Sequence, residues 1–162
     1  MNRIEELYEC IKNLDTEDGF EEFDDFYDKV MAKEILFEIE DIEKICLIFN
    51  DKDNLMEPHN FVSLRRMTFK TINNFSIERG FDELIKGIIK IADINSVESK
   101  GYMNMLLNSY SKEDISTFAK LLENYNKDDQ RKIGILVNEL IEDNPQIYMD
   151  KGTVILNAVE KN

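Results

Sequence analysis

Apolar residues along this chain recur at intervals of three and four, the spacing of one face of an α-helix. Ile4, Leu7, Tyr8, Ile11 and Leu14 form the first such face, and Phe20, Phe23, Tyr27, Val30 and Met31 form a second after a break at Asp18-Gly19. Ile42, Ile45, Cys46 and Phe49 mark a short third helix. Between the second and third, Ile35-Leu36-Phe37-Glu38-Ile39 has the look of a strand, but a lone strand has no partner in a helical pattern.

Pro58 suits the first turn of a helix, and Phe61, Leu64, Thr68, Ile72 and Phe75 line one face beyond it. Phe81, Leu84, Ile85, Ile88, Ile89 and Ala92 give the cleanest stripe of all. Met103, Leu106, Leu107 and Tyr110 follow, then Ile115, Phe118, Ala119, Leu122 and Tyr125, then Ile133, Leu136, Val137, Leu140 and Ile141. Ser111 with Asp114 and Asn126 with Asp129 have the spacing of a capping box, and Asn144-Pro145 ends one helix and can begin the last.

These starts place helix pairs near 77, 112 and 145, about 33–35 residues apart, the period at which helical hairpins stack into a solenoid. The expected fold is all-α: a right-handed stack of antiparallel helix pairs forming a short HEAT-like solenoid, with an irregular helical bundle as the alternative. The connections are too short for separate domains, so 1–162 reads as one helical domain with an acidic N-terminal part at 1–57 and a helical-pair stack at 58–162.

Composition agrees with a folded chain. A domain of 162 residues buries roughly 70% of its unfolded surface, and ten phenylalanines and six tyrosines supply a core that a disordered chain lacks. Cys10 and Cys46 fall within helical apolar patterns and read as reduced, buried thiols. No apolar stretch approaches the ~20 residues that cross a bilayer. Met1 to Glu6 opens into an acidic amphipathic segment rather than a signal peptide, so the expected location is the cytoplasm, away from any membrane.

Charge changes the picture more. The net charge is −14, and residues 1–57 hold 19 Asp and Glu against 6 Lys and Arg, while the remainder holds 15 against 14. Eight carboxylates, Asp15, Glu17, Asp18, Glu21, Glu22, Asp24, Asp25 and Asp28, fall within residues 15–28 with no basic residue among them. Glu21, Asp24, Asp25 and Asp28 sit three and four apart on one helix face, and like charges there cost a few tenths of a kcal/mol per pair. A field of that kind destabilises the compact chain and attracts a basic partner. Nucleic acid would be repelled, and Arg65-Arg66 alone make no phosphate track. The candidate partner-binding residues are therefore Glu21, Glu22, Asp24, Asp25 and Asp28. Periodicity turns Phe20, Phe23 and Tyr27 inward and leaves Phe26 as the exposed anchor.

Catalytic chemistry has little to stand on. The chain has one histidine, His59, without an HExxH partner, and it reads as a helix-start or surface residue beside Pro58. Asp51, Asp53 and Asn54 begin like a calcium loop, but Met56 and Val62 stand where an EF-hand needs Gly and Glu, so the segment reads as a polar turn. Glu-x-x-His pairs for a di-metal bundle are missing, as is a glycine-rich phosphate loop. The expectation is a non-enzymatic protein with no catalytic residue, no metal and no cofactor.

The chain resembles the bacterial immunity proteins of polymorphic-toxin systems, most nearly the all-helical family called immunity protein 30. The resemblance runs from about residue 1 to 150 and rests on the acidic first helical pair ending in EKICLIFNDKDN, then FVSLRRMTFKTINNF, FDELIKGIIKIADI, YMNMLLNSYSKEDISTFAKLLENY and ILVNELIEDNP. The helix carrying Arg65, Arg66 and Lys70 departs from it by being more basic. The resemblance implies a cytoplasmic antitoxin, made by a bacterium to bind and neutralise a cognate toxin domain, as in contact-dependent inhibition. It implies no interface residues, and the sequence sets no oligomeric state. Two other readings stand beside it: a helical-repeat adaptor or scaffold that binds a protein on its concave face, and an acidic DNA-mimic inhibitor of a DNA-binding protein.

Overall fold

Short polar side chains start most of the helices by accepting the amide hydrogens that a first turn leaves orphaned. In a computed structural model of the protein, which describes residues 1–48 and 58–160, nine helices are found among the described residues and no strand. They are α1 (Arg3–Lys12), α2 (Glu17–Met31), α3 (Asp41–Leu47), α4 (Pro58–Asn74), α5 (Ile77–Ala92), α6 (Ser96–Ser109), α7 (Lys112–Leu122), α8 (Lys127–Asp143) and α9 (Pro145–Glu160).

The sequence signals for starts hold. Ser111 Oγ accepts from the Asp114 amide at 3.2 Å, and Asn126 Oδ1 accepts from the Asp129 amide at 2.9 Å. Asn126 Nδ2 also donates to the Asp129 carboxylate at 2.9 Å, so Asp, though shorter than Glu, reaches back. Pro145 opens α9 directly after Asn144 caps the end of α8. A full capping box at Asn2 and Glu5 (2.9 and 3.0 Å) and caps at Thr16, Ser76 and Asn95 complete the set.

Two local expectations are corrected. Asp18-Gly19 is not a break: Thr16 caps α2, and Gly19 lies buried in its first turn. A β-carbon there would collide with the Asn13 carbonyl, so the glycine lets the end of α1 approach the start of α2. Phe75, expected to face inward, lies past the end of α4 and is exposed. The segment Ile35 to Ile39 forms no strand, yet it keeps strand-like alternation: Ile35, Phe37 and Ile39 are buried while Leu36 and Glu38 are exposed. An extended chain laid across helices buries every second side chain without needing a ladder.

The helices pack in two interleaved rows. In one row α1 meets α3, α3 meets α5, α5 meets α7 and α7 meets α9; in the other α2 meets α4, α4 meets α6 and α6 meets α8. Contacts of α1 with α2, α5 with α6 and α8 with α9 join the rows. α5 lies at the centre, touching α3, α4, α6, α7 and α8, and buries Phe81, Leu84, Ile85, Ile88, Ile89 and Ile91. Its Gly87 takes the α3 side chain Cys46 so closely that a β-carbon would stand 2.6 Å from the sulfur. Rings tie the middle of the stack: Phe81 meets Tyr110 edge-on at 5.0 Å and Phe118 at 5.7 Å, while Phe69 meets Tyr110 at 5.8 Å. The expectations at Phe49, Asp51, Asp53, Asn54 and Met56, and for the His59 side chain, lie outside the described residues.

Candidate functional site

The stripe of α2 sets its charge. Phe23, Phe26 and Val30 recur at three and four and are buried, which turns Glu21, Glu22, Asp24, Asp25 and Asp28 out to solvent. Glu17 and Asp18 in the first turn sit favourably at the positive end of the helix. Lys29 pairs with Asp25 at 2.7 Å on the exposed surface, a contact that water largely screens.

Phe26 is not the exposed anchor that periodicity suggested. It is only 6% accessible, and its ring lies 5.9 Å from that of Phe37. The reason is tertiary: the extended segment at 35–39 folds back onto α2 and buries a position that the helix alone would leave at the edge. Phe20 and Tyr27 take the intermediate positions instead.

Buried as it is, Phe26 still contributes to a groove. α1 brings Glu6, Glu9 and Cys10 to one wall, α2 brings Glu22, Asp25 and Lys29 to the other, and Phe26 and Ile35 lie between them in a hollow of about 410 Å³. Its floor is apolar, and its rim carries four carboxylates and two cations, Arg3 and Lys29. Three are paired with cations on their own helices: Glu6 with Arg3 and Glu9 with Lys12, each at 2.8 Å, and Asp25 with Lys29. Glu22 has no ion pair among the described residues. The field is felt by the half-buried Cys10 thiol, whose pKa is raised by burial first and then by Glu22 and Glu6.

A second hollow of about 690 Å³ shares Met1, Arg3 and Glu6 with the first and continues to Leu36, Glu38, Glu40, Asp41 and Lys44. Leu36 is 54% accessible and stands among carboxylates, the position that Phe26 was expected to fill. Of the residues nominated from sequence, Glu22, Asp25 and Phe26 come together in the α1–α2 groove, whereas Glu21, Asp24 and Asp28 line neither hollow. Sequence reasoning missed Glu6, Glu9, Cys10, Ile35 and Leu36. The signal for Leu36 was present, since a side chain between two inward-facing neighbours of an extended segment must face out.

Such a groove suits a long cationic side chain, whose aliphatic stem lies on the apolar floor while its head reaches the rim. Among the described residues no group of three or more His, Cys, Asp or Glu is placed to hold a metal ion, and no helix is long and apolar enough to cross a membrane. The basic run of α4 divides: Arg65 turns in to pair with Glu98 of α6, while Arg66 stays exposed. Burial raises the Glu98 carboxyl above its ordinary pKa, and the Arg65 guanidinium offsets part of that rise. Comparison with known proteins finds no matching family model, no matching curated protein and no matching solved structure.

Proposed function

We propose that this protein is an immunity protein, an antitoxin that holds a cognate, basic toxin domain on the surface formed by α1, α2 and the 35–44 segment. The single observation that carries the reading is the α1–α2 groove, in which Glu6, Glu9, Glu22 and Asp25 surround Cys10, Phe26 and Ile35. A rim of four carboxylates against two cations, around an apolar floor, supplies both long-range steering and a short-range seat for a lysine or arginine stem. The all-helical architecture and the acidic N-terminal third agree with the immunity-protein resemblance, and the alternating packing of odd and even helices supports reading the stack as a short HEAT-like solenoid. The protein would act in the cytoplasm of the cell that makes it, by covering the toxin's working surface and performing no chemistry of its own.

The test is co-expression with the product of the neighbouring toxin gene, followed by association kinetics at low and high salt. Steered binding slows on association as salt rises, with a smaller change in dissociation, and the double reversal Glu22→Lys with Asp25→Lys slows it at least tenfold. A complex indifferent to both salt and reversal moves the reading to an adaptor that binds on another face.

A further inference from the structure

The cations of this chain are mostly answered by carboxylates close at hand: Lys90 by Glu43, Lys100 by Asp143, Lys112 by Asp150, Lys132 by Asp93. Arg66 and Lys70 share with Lys33, Lys120 and Lys127 the lack of a carboxylate within ion-pair distance among the described residues, and of these they are the pair that stands one helical turn apart, on α4, where like charges repel.

The surface beside them is hollow. Arg66, Lys70 and Asn73 form the α4 wall of a groove of about 320 Å³, and Met105 and Ser109 form the α6 wall. Its floor is the buried Phe69 and Tyr110, and Met31 at the end of α2 closes one side. The floor is held rigid by the 5.8 Å contact between those two rings and by the Tyr110 hydroxyl, which donates to Asn73 Oδ1 at 2.7 Å. Met31 and Met105 are the adaptable members, since a thioether chain can shift to fit an incoming side chain.

We propose that this α4–α6 groove is a second docking surface, with the opposite preference to the first: it takes an acidic peptide segment of a partner protein, carboxylates on Arg66 and Lys70 and an apolar side chain between the methionines. The argument is charge complementarity. A net charge of −14 repels an anionic segment at a distance, so such a segment can be held only where unanswered cations and apolar contact occur together, and here they do. The proposal is independent of the toxin reading, which rests on α1 and α2.

The experiment is selection of a displayed random twelve-residue peptide library on the full-length protein. Counter-selection uses the Arg66→Glu, Lys70→Glu variant, after a thermal melt has shown that it folds. A second variant, Met105→Trp, fills the groove with bulk while leaving the two cations in place. The expected result is enrichment of peptides carrying at least two acidic residues and one large apolar residue. They should bind each variant roughly tenfold or more weakly, and more weakly at high salt. Enriched peptides without acidic residues, or equal binding to parent and variants, overturns the proposal. So does pyrophosphate binding at this groove with no peptide enriched, which makes it a small-anion site, or self-association lost in the double variant, which makes it a contact between copies. Toxin binding measured on the same variants should be unchanged, so failure here leaves the α1–α2 reading standing.

Discussion

The two cysteines show how far a residue's neighbours decide its chemistry. Cys46 is fully buried against Gly87, and burial pushes its thiol up to about 12; Cys10 is half-buried in the acidic groove, raised by burial and by Glu22 and Glu6. Because the thiolate is the reactive form, iodoacetamide near neutral pH should modify Cys10 slowly and Cys46 only on unfolding. Added salt should speed Cys10, since screening the carboxylates lowers its pKa, and the proposed toxin should protect it; mass-spectrometric time courses read these outcomes. Gly87→Ala should cost about 1–3 kcal/mol in denaturant unfolding, the usual penalty of overpacking. The sequence pattern put both cysteines inside, which is right for Cys46 and half right for Cys10. It missed the burial of Phe26 because a helix period says which side faces its own core, and not which side a segment eleven residues later will cover.

Helix ends were the most legible elements, because a cap is settled by residues three apart. Ser111, Asn126 and Asn144-Pro145 were readable for that reason, whereas Gly19 was misread as a break because its task is a contact with α1 rather than a turn. The far end of α6 is finished from outside the helix. It has no basic residue in its last turn, and Lys151 of α9 donates to the carbonyls of Leu107, at 3.1 Å, and Tyr110. Lys151→Met should therefore lower stability by about 1–2 kcal/mol, measured by denaturant unfolding. The Arg65–Glu98 pair between α4 and α6 makes a prediction in pH. A carboxyl whose folded pKa is raised holds its proton more firmly than the unfolded chain does. Its stabilising contribution is full below the ordinary carboxylate range and is lost as pH rises through the raised value. Glu98→Gln, which resembles the protonated form at every pH, should gain on the parent protein as pH rises above the ordinary carboxylate range. A deficit that widens instead would mean that the ion pair outweighs its own desolvation.

At the scale of the whole molecule, charge and packing act against each other. The acidic excess in the N-terminal third strains the fold, so the melting temperature should rise with added salt up to about 0.3 M, where the screening length has shrunk well below the roughly 30 Å of dilute, ~0.01 M buffer. The reversals Glu22→Lys and Asp25→Lys should raise the stability of the free protein by roughly a few tenths of a kcal/mol each while slowing association with the proposed toxin. Opposite signs in the two assays would identify the acidic face as kept for binding. Fold class and the starts of α5, α7 and α9 were legible because they are local patterns; the groove was not, because its walls come from two helices and its floor from a third segment. The interleaved rows of helices also carry a kinetic consequence. Nearly every helix meets partners one or two places away along the chain, so little loop entropy must be spent before native contacts begin to form. Contacts of this kind favour fast folding over chains of equal length built from distant pairings, so stopped-flow refolding from denaturant should be dominated by a fast phase.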